Sequence, residues 1–598
     1  MTQQLRISQF VITYGPGAII EGAEGPRVIP LPDIGLFKRI PNLNPSDYEV
    51  LDQRMTDGLL RGTRIFRLPS NAELGIPEDQ YIYSTKPFPL WKLCLNIQGH
   101  KGDFYVLYDQ PECPVCGNTG GRGREAIRFI KACPDGHMDE VDWYHLAHGS
   151  GSSCQHTGWF RWHGGGGSLS GVRIECPRCG SSKFTLGWAY GKEWDCSGRY
   201  PERELPYSPP HRPGCGKKAK IIQRQASNLR IPELLTLFSI PPRHTKLHNL
   251  LQIGPIFSAI VAKNPSSMKQ FKEMLSRLQE KGLISGSTLA EILSSPWPEI
   301  RSAIQDVLTP VPRSYHELIM EEFHALVEGS IHGIPPIPGP TPHSPTLIEI
   351  NPYLVRRFNG AEGKLFRITP VLRLRTVTVQ RGYRRDVGSD VIPKLVDVSF
   401  PDPVFPQQRW YPGVEFPGEG IFIIFDENDG WNFRIKGETA KIWLDAFNAS
   451  SYPDYVFRDP SLREELHPLF VWWHTFSHFL IRSIAAESGY SSASIRERVY
   501  FEHGDTAARG GVLVYATQPG SEGTLGGLVA LTPYFQDILD VIFEQLEVCS
   551  GDPLCLEHRF RAGDYNGAAC YGCVLLSETS CEHRNMWLDR HVMLENLP

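Results

Sequence analysis

Positive charge is not in excess in this chain: across 598 residues, 61 Lys and Arg stand against 66 Asp and Glu, for a formal net charge of −5. That excludes a uniformly basic nucleic-acid coat while leaving room for a local basic groove. Long uninterrupted apolar runs are missing as well. The longest stretch, Leu469 to Ala486, is broken by His474, His478 and Arg482. Each is costly at a bilayer centre, so the stretch reads as a buried helix and no membrane span is expected. The first apolar run, Phe10 to Tyr14, is too short for the apolar core of a signal peptide and has no small-residue cleavage site after it. The expectation is therefore a cytoplasmic protein. Nowhere does Gly-x-x-x-x-Gly-Lys-Ser/Thr occur. Neither Gly164 to Gly171 nor Gly523 to Gly527 supplies the lysine that a phosphate-cradling loop needs, so the chain carries no nucleotide motor of its own.

Cysteine, by contrast, is plentiful. Nine of the 14 cysteines fall in the first 215 residues and five in the last 50. Without an export signal that number points to metal in a reducing compartment rather than to disulfides. The clearest group is Cys176-Pro-Arg-Cys179, followed by Cys196 and Cys215. A Cys-x-x-Cys knuckle turns two thiolates toward one ion, and two later cysteines complete a tetrahedron. A second knuckle, Cys113-Pro-Val-Cys116, fits either of two sets, with Cys94 and His100 upstream or with Cys133 and His137 downstream. In the third group Cys570-Tyr-Gly-Cys573 is completed by Cys555 and Cys581. Cys549, at a helix end, reads as an ordinary buried thiol. Four protein donors leave no open coordination position, so the expectation is two or three zinc ions with a structural role. His474 and His478 are one helical turn apart but lack the glutamate of His-Glu-x-x-His, and read as residues of a packed helix.

The chain is too long for one core. Residues 1–90 mix short apolar runs with turns and suggest a small lobe. Residues 91–227 form a zinc-ribbon-like region rich in Cys, His, Trp and Gly. Residues 228–330 turn helical, with Phe271, Met274, Leu275 and Leu278 on one face and a capping box of Thr288 and Glu291 opening the next helix. The proline-dense segment 331–345 reads as a stiff linker. Residues 346–448 look β-rich, with a strand from Leu372 to Val379 that changes phase near Thr376. Residues 449–598 alternate helix and strand before the terminal cysteine group, the pattern of an α/β domain. Taken together this is an α+β multidomain protein.

From Arg356 to Arg385 the chain carries eight arginines and Lys364 against the single acid Glu362. Arg356, Arg357, Arg373, Arg375, Arg381, Arg384 and Arg385 are candidates for DNA phosphate contact, with Phe358, Phe366 and Tyr383 close by to stack on bases. The competing expectation is a strand face whose arginines pair with acids elsewhere in the fold. No nucleophile accompanies Glu502, His503, Asp505 or Glu522, so no catalytic residue is assigned.

Arg6-Ile-Ser-Gln-Phe10, Tyr14-Gly-Pro-Gly-Ala-Ile19, Arg128 to His137 with Asp142-Trp143, Ala226 to Leu229, His474 to His478, Gly523 to Leu528 and the segment Cys549 to Arg590 occur in order along nearly the whole chain. In this the sequence resembles the DrmB family of helicase-associated proteins, components of DISARM anti-phage systems. Its terminal cysteine block is similar to the zinc-binding domain of MrfA-type helicases. The family often has Cys-x-x-Cys after the tryptophan at the position of Trp91, whereas here Cys94 is followed by Leu95, Asn96 and Ile97. His100 then replaces the missing thiolate, or the ion is lost or rearranged. The resemblance implies a non-motor subunit that binds a DrmA-like superfamily 2 helicase and reaches DNA through that complex. A stand-alone hydrolase acting on nucleic acid and a zinc-ribbon RNA-binding regulator are the alternatives.

Overall fold

The computed structural model describes residues 4–119, 123–164, 167–241, 246–251, 253–308, 314–388, 391–426, 434–449, 452–453, 456–457, 463–503, 508–517 and 525–598. Asp505, Glu522 and the start of the Gly523 to Gly527 turn lie outside them. The chain divides into two compact units with interleaved segments. One comprises residues 1–50, 63–236 and 378–414, the other residues 51–62, 237–377 and 415–598. The proline-dense segment 331–345 lies inside the second unit.

In the first unit, short strands make small sheets. Five strands order as Arg173–Glu175, Trp159–His163, Tyr105–Tyr108, Lys92–Cys94 and Arg124–Ala126. Four more order as Glu193–Asp195, Lys218–Gln223, Phe129–Ala132 and Met138–Glu140. Trp143, Trp162, Phe160, Ile174 and Leu186 share one core. A charge network of four buried members accompanies them: Arg199 donates to Asp139 at 2.8 Å and to Glu204 at 3.0 Å, and Lys86 meets Glu204 at 3.1 Å. Buried charges of this kind are tolerated only when paired.

The second unit is layered. Helix α1 (Tyr315–His332) opens with the capping box that its Ser314-x-x-Glu317 spacing dictates. Strands β1 (Leu365–Arg384) and β2 (Arg409–Phe425) follow, each with its end in the first unit by sequence position. Helix α2 (Pro468–Ser488), strands β3 (Ile495–His503) and β4 (Ala508–Thr517), and helix α3 (Phe535–Glu547) complete the layers. β4 pairs antiparallel with β3 on one side and with Gly418–Ile424 of β2 on the other. The period of two decides which face each residue serves. Ile421, Ile423, Val512 and Val514 join the α2 and α3 core, whereas Phe422, Ile424, Leu513 and Tyr515 join Phe323 and Leu326 of α1. A sheet covered on both faces needs apolar residues on both, which is why Ile421 to Phe425 of β2 and Val512 to Ala516 of β4 read as continuous apolar runs.

The expected helical segment forms its own core in that unit, with Phe271, Met274 and Leu275 buried from Met268–Glu280. Its next helix, Gly286–Leu293, is capped one turn earlier than the Thr288 and Glu291 pattern implied. Ser285 is the cap and accepts the Thr288 N–H at 3.1 Å. In β1 the register shifts where Glu349 pairs with Arg373 and Ile350 with Val371, so the irregularity falls at Leu372 rather than near Thr376.

Arg498 of β3 is fully buried beneath the Phe238 ring at 4.4 Å, donating to Glu322 of α1 at 2.7 Å and to Glu582 at 2.9 Å. Glu322 is itself 0% exposed. Arg498→Met is expected to lower the unfolding free energy of this unit by about 3 kcal/mol or more, because it strands a buried carboxylate. Urea unfolding of wild type and variant, followed by tryptophan fluorescence, measures the loss. A change below about 1 kcal/mol would mean that other groups neutralise Glu322.

Candidate metal centres

Two knuckles share one geometry. In Cys113-Pro-Val-Cys116-Gly117 the Gly117 N–H donates to the Cys113 carbonyl at 2.9 Å and the Cys113 N–H to Asn118 at 3.1 Å. In Cys176-Pro-Arg-Cys179-Gly180 the corresponding bonds are both 2.9 Å, the second to Ser181. Gly117 and Gly180 sit at φ of +67° and +72°, where a side chain would be strained. Proline fixes the first bend, glycine permits the second, and the thiols are left on one side. The Cys570-Tyr-Gly-Cys573 turn closes differently, by the Val574 N–H donating to the Cys570 carbonyl at 3.0 Å.

Among the described residues the donor atoms of four Cys/His sets converge, three of them at these turns, all lying within 4.8 Å of one another in each set. The first set is Cys94, His100, Cys113 and Cys116. His100 is fixed by its Nδ1, 3.1 Å from the Phe104 carbonyl, which leaves Nε2 toward Cys113 at 3.6 Å. Of the two ligand sets open to the Cys113 knuckle, the structure assembles this one, with His100 as its nitrogen donor.

The second set is Cys133, His137, Cys196 and Cys215, and the third His148, Cys154, Cys176 and Cys179. This corrects the expected grouping of Cys176 and Cys179 with Cys196 and Cys215. Proximity in sequence pairs those four, but strand order separates them. Cys133 follows Phe129–Ala132, Cys196 follows Glu193–Asp195 and Cys215 precedes Lys218–Gln223, three strands of one sheet. Cys176 follows Arg173–Glu175, which belongs to the other sheet. The third set takes instead His148, from the end of helix Trp143–His148, and Cys154. Nδ1 of His148 meets the Tyr144 carbonyl at 3.0 Å, and its buried Nε2 has no hydrogen-bond partner. An orphaned imidazole nitrogen beside three thiols is the chemistry of a metal ligand. The third set also lies wholly within the chain segment between His137 and Cys196 of the second.

The fourth set is Cys549, Cys555, Cys570 and Cys573. Cys549 approaches Cys570 at 3.4 Å and Cys555 approaches Cys573 at 3.7 Å. Cys549 thus takes the place expected for Cys581, which packs against helix α2 with its sulfur 3.2 Å from His474. All 14 cysteines are free of disulfides.

The thiols cannot share protons comfortably. The hydrogen bond from Cys196, with His137 beside it, holds the Cys133 thiol down at about 4, and the same bond drives Cys196 up. Burial pushes Cys113 up to about 11. Against burial, which raises it, hydrogen bonds from Cys549 and Cys555 bring Cys570 to about 7. One thiolate in each set gains at a neighbour's expense, and only an added cation lets all of them ionise together. The donor sets therefore fit zinc, and four protein donors give it a structural role.

The arginine segment resolves into individual fates. Arg375 is 1% exposed and donates to Glu415 at 2.6 Å and to Ser239 at 2.8 Å. Arg385 is 0% exposed, spending its guanidinium on the carbonyls of Gly136, Leu229 and Gly17. Both are interior braces, withdrawn from phosphate. Arg381 and Arg384 pair with Glu233 at 3.4 and 3.5 Å. Arg356, Arg357 and Arg373 are exposed, Arg357 pairing with Asp426 and Arg373 with Glu349 at 3.2 Å. Of the aromatic candidates, Phe366 and Tyr383 are buried and Phe358 packs against the α2 core, whereas Tyr353, which the sequence did not single out, is 86% exposed.

Because Cys176 and Cys196 serve different sets, Cys176→Ser and Cys196→Ser are each expected to lose one zinc and the double variant two. Metal content per chain by mass spectrometry checks this. A double variant that loses a single ion would restore the shared site.

Residues 6–231 match a family described as a domain of unknown function (DUF8724), and residues 476–574 match the MrfA Zn-binding domain. The chain is 26% identical to "DISARM protein DrmB" of Bacillus paralicheniformis over 93% of its length and 95% of that protein. No described helix is long and apolar enough to cross a membrane. Zinc-binding domain, cysteine sets and alignment agree, and the resemblance of this chain to the DrmB family of DISARM systems extends over 93% of its length.

Proposed function

We propose that this protein is a non-motor subunit of a DISARM anti-phage defence complex, which binds a DrmA-like superfamily 2 helicase and assists its engagement of DNA. The observation that carries the reading is the alignment with DISARM protein DrmB, which covers 93% of this chain and 95% of that protein. The sequence supports a subunit without its own motor, since Gly-x-x-x-x-Gly-Lys-Ser/Thr is missing from it. Zinc in this reading orders the loop-rich segments that face a partner. The hydrolase alternative draws on Glu502, whose carboxylate is engaged by His324 at 3.0 Å and Arg509 at 2.5 Å, an ion-paired arrangement rather than a poised base.

Co-expression with a DrmA-like helicase tests the proposal. A stable complex whose DNA binding or ATPase rate differs from that of the helicase alone is the expected result. Separate elution with unchanged rates would overturn it. Nucleic-acid turnover by the chain alone would favour the hydrolase, and a preference for RNA over DNA at matched salt the RNA-binding regulator.

Among the arginines, the exposed Arg356 and Arg373, with Tyr353 nearby in sequence, are the candidates for meeting phosphate. In the assembled complex, Arg356→Ala with Arg373→Ala is expected to weaken binding to every DNA sequence alike and to reduce the salt slope by about one for each arginine that neutralises a phosphate. Affinity titrations across a salt series, with folding checked by melting temperature, provide the measurement.

A further inference from the structure

Helix α2 carries two histidines that belong to none of the four cysteine sets. His474 and His478 stand one turn apart and are both 0% exposed. Each is anchored through one ring nitrogen, His474 by Nδ1 at 3.3 Å from the Trp587 carbonyl and His478 by Nδ1 at 2.9 Å from the Val574 carbonyl. A carbonyl only accepts, so Nδ1 carries the hydrogen in both rings and Nε2 of the neutral imidazole presents a lone pair.

Those two lone pairs aim at further acceptors. Nε2 of His474 lies 2.9 Å from Oε1 of Glu497, and Nε2 of His478 lies 3.3 Å from the same oxygen. Glu497, on β3, is 0% exposed and accepts the Ser477 hydroxyl through its other oxygen. Cys581 brings its sulfur to 3.2 Å from Nε2 of His474. That sulfur accepts the backbone N–H groups of His583 and Asn585, both at 3.3 Å, which fixes its position. All four side chains are buried, and their donor atoms lie within 4.8 Å of one another.

Electron pairs gathered in a dry interior repel unless a cation lies among them. One proton can bridge His474 to Glu497 but leaves Nε2 of His478 facing the same oxygen. A divalent ion satisfies all four at once, and its two charges cancel against one thiolate and one carboxylate beside two neutral imidazoles. The Trp587 and Val574 carbonyls then act as the outer groups that orient histidine ligands.

We propose that Nε2 of His474, Nε2 of His478, Sγ of Cys581 and a carboxylate oxygen of Glu497 hold a metal ion, zinc by the chemistry of the donor set, at a site separate from the four cysteine sets. Nitrogen, oxygen and a single sulfur suit zinc, and four protein donors close the site against substrate. The ion ties α2 to β3 and to the loop that carries Cys581. The match to the MrfA Zn-binding domain starts after His474 and stops before Cys581, so it does not account for this group.

The test uses the full chain. Metal analysis of protein expressed with ample zinc is expected to give five ions per chain. Substitution with cadmium-113 is expected to give, besides four resonances from thiolate-rich sites, one shifted toward nitrogen and oxygen ligation. His474→Ala with His478→Ala should remove that resonance and one ion while leaving the other four. If this variant does not fold, the wild-type spectrum decides alone. Thiolate-rich resonances without the shifted one, or a folded double variant that keeps it, would overturn the proposal. Loss of thiolate-rich resonances with the shifted one present would count against the cysteine sets and leave this site standing.

Discussion

A thiolate can be buried only where positive charge meets it, and much of this protein is arranged around that requirement. The first 215 residues contain nine cysteines among short strands and many glycines, with sheets of only a few residues per strand. Such sheets are weak by themselves. Each of their sets of three thiols with a histidine supplies, once metal is bound, the free energy that a larger apolar core supplies elsewhere.

The second unit meets the same electrostatic demand with side chains of its own. Arg498 lies between Glu322 and Glu582, Arg375 between Glu415 and Asp52, and Arg367 reaches Asp426 beside Ser330. Their arginines stand on the strands of the sheet, and their acids come from strand, helix and loop. They cost stability relative to apolar packing but penalise any register in which the charges would part. Metal sets and ion pairs are two answers to one problem, that of holding charge inside a protein.

Legibility in the sequence followed the range of the interaction. Local signals read well: the apolar helix over Pro468–Ser488, the β-rich segment after residue 346, the helices around Phe271 and the three knuckles are set within a few residues of one another. Ligand partition did not, because Cys133 and Cys196 are joined by sheet pairing, which no spacing reveals. Nothing in the spacing marks His148, which reaches its set from the end of helix Trp143–His148, and a helix-end thiol such as Cys549 looks ordinary. The arginine segment showed the opposite failure. Its charge density was plain, but whether Arg375 and Arg373 face acids or solvent depends on strands far away in the chain. His474 and His478 lacked the expected intervening glutamate, and Glu497, which meets them, comes from the following strand.

The third cysteine set lies wholly inside the chain segment that the second must close, and this nesting has a consequence for assembly. When the inner ligands, His148 through Cys179, capture their ion, the segment between His137 and Cys196 is already folded back on itself. The outer ends then search a smaller volume, and the entropy of joining them falls. In the reverse order, the outer ring would close around an unstructured insert with its own reactive thiols still uncommitted. During synthesis from the amino terminus the inner set also emerges complete before Cys196 and Cys215. Chain order and polymer entropy therefore favour the same sequence of events, in which metal capture proceeds from the inside outward and each loading step prepares the next.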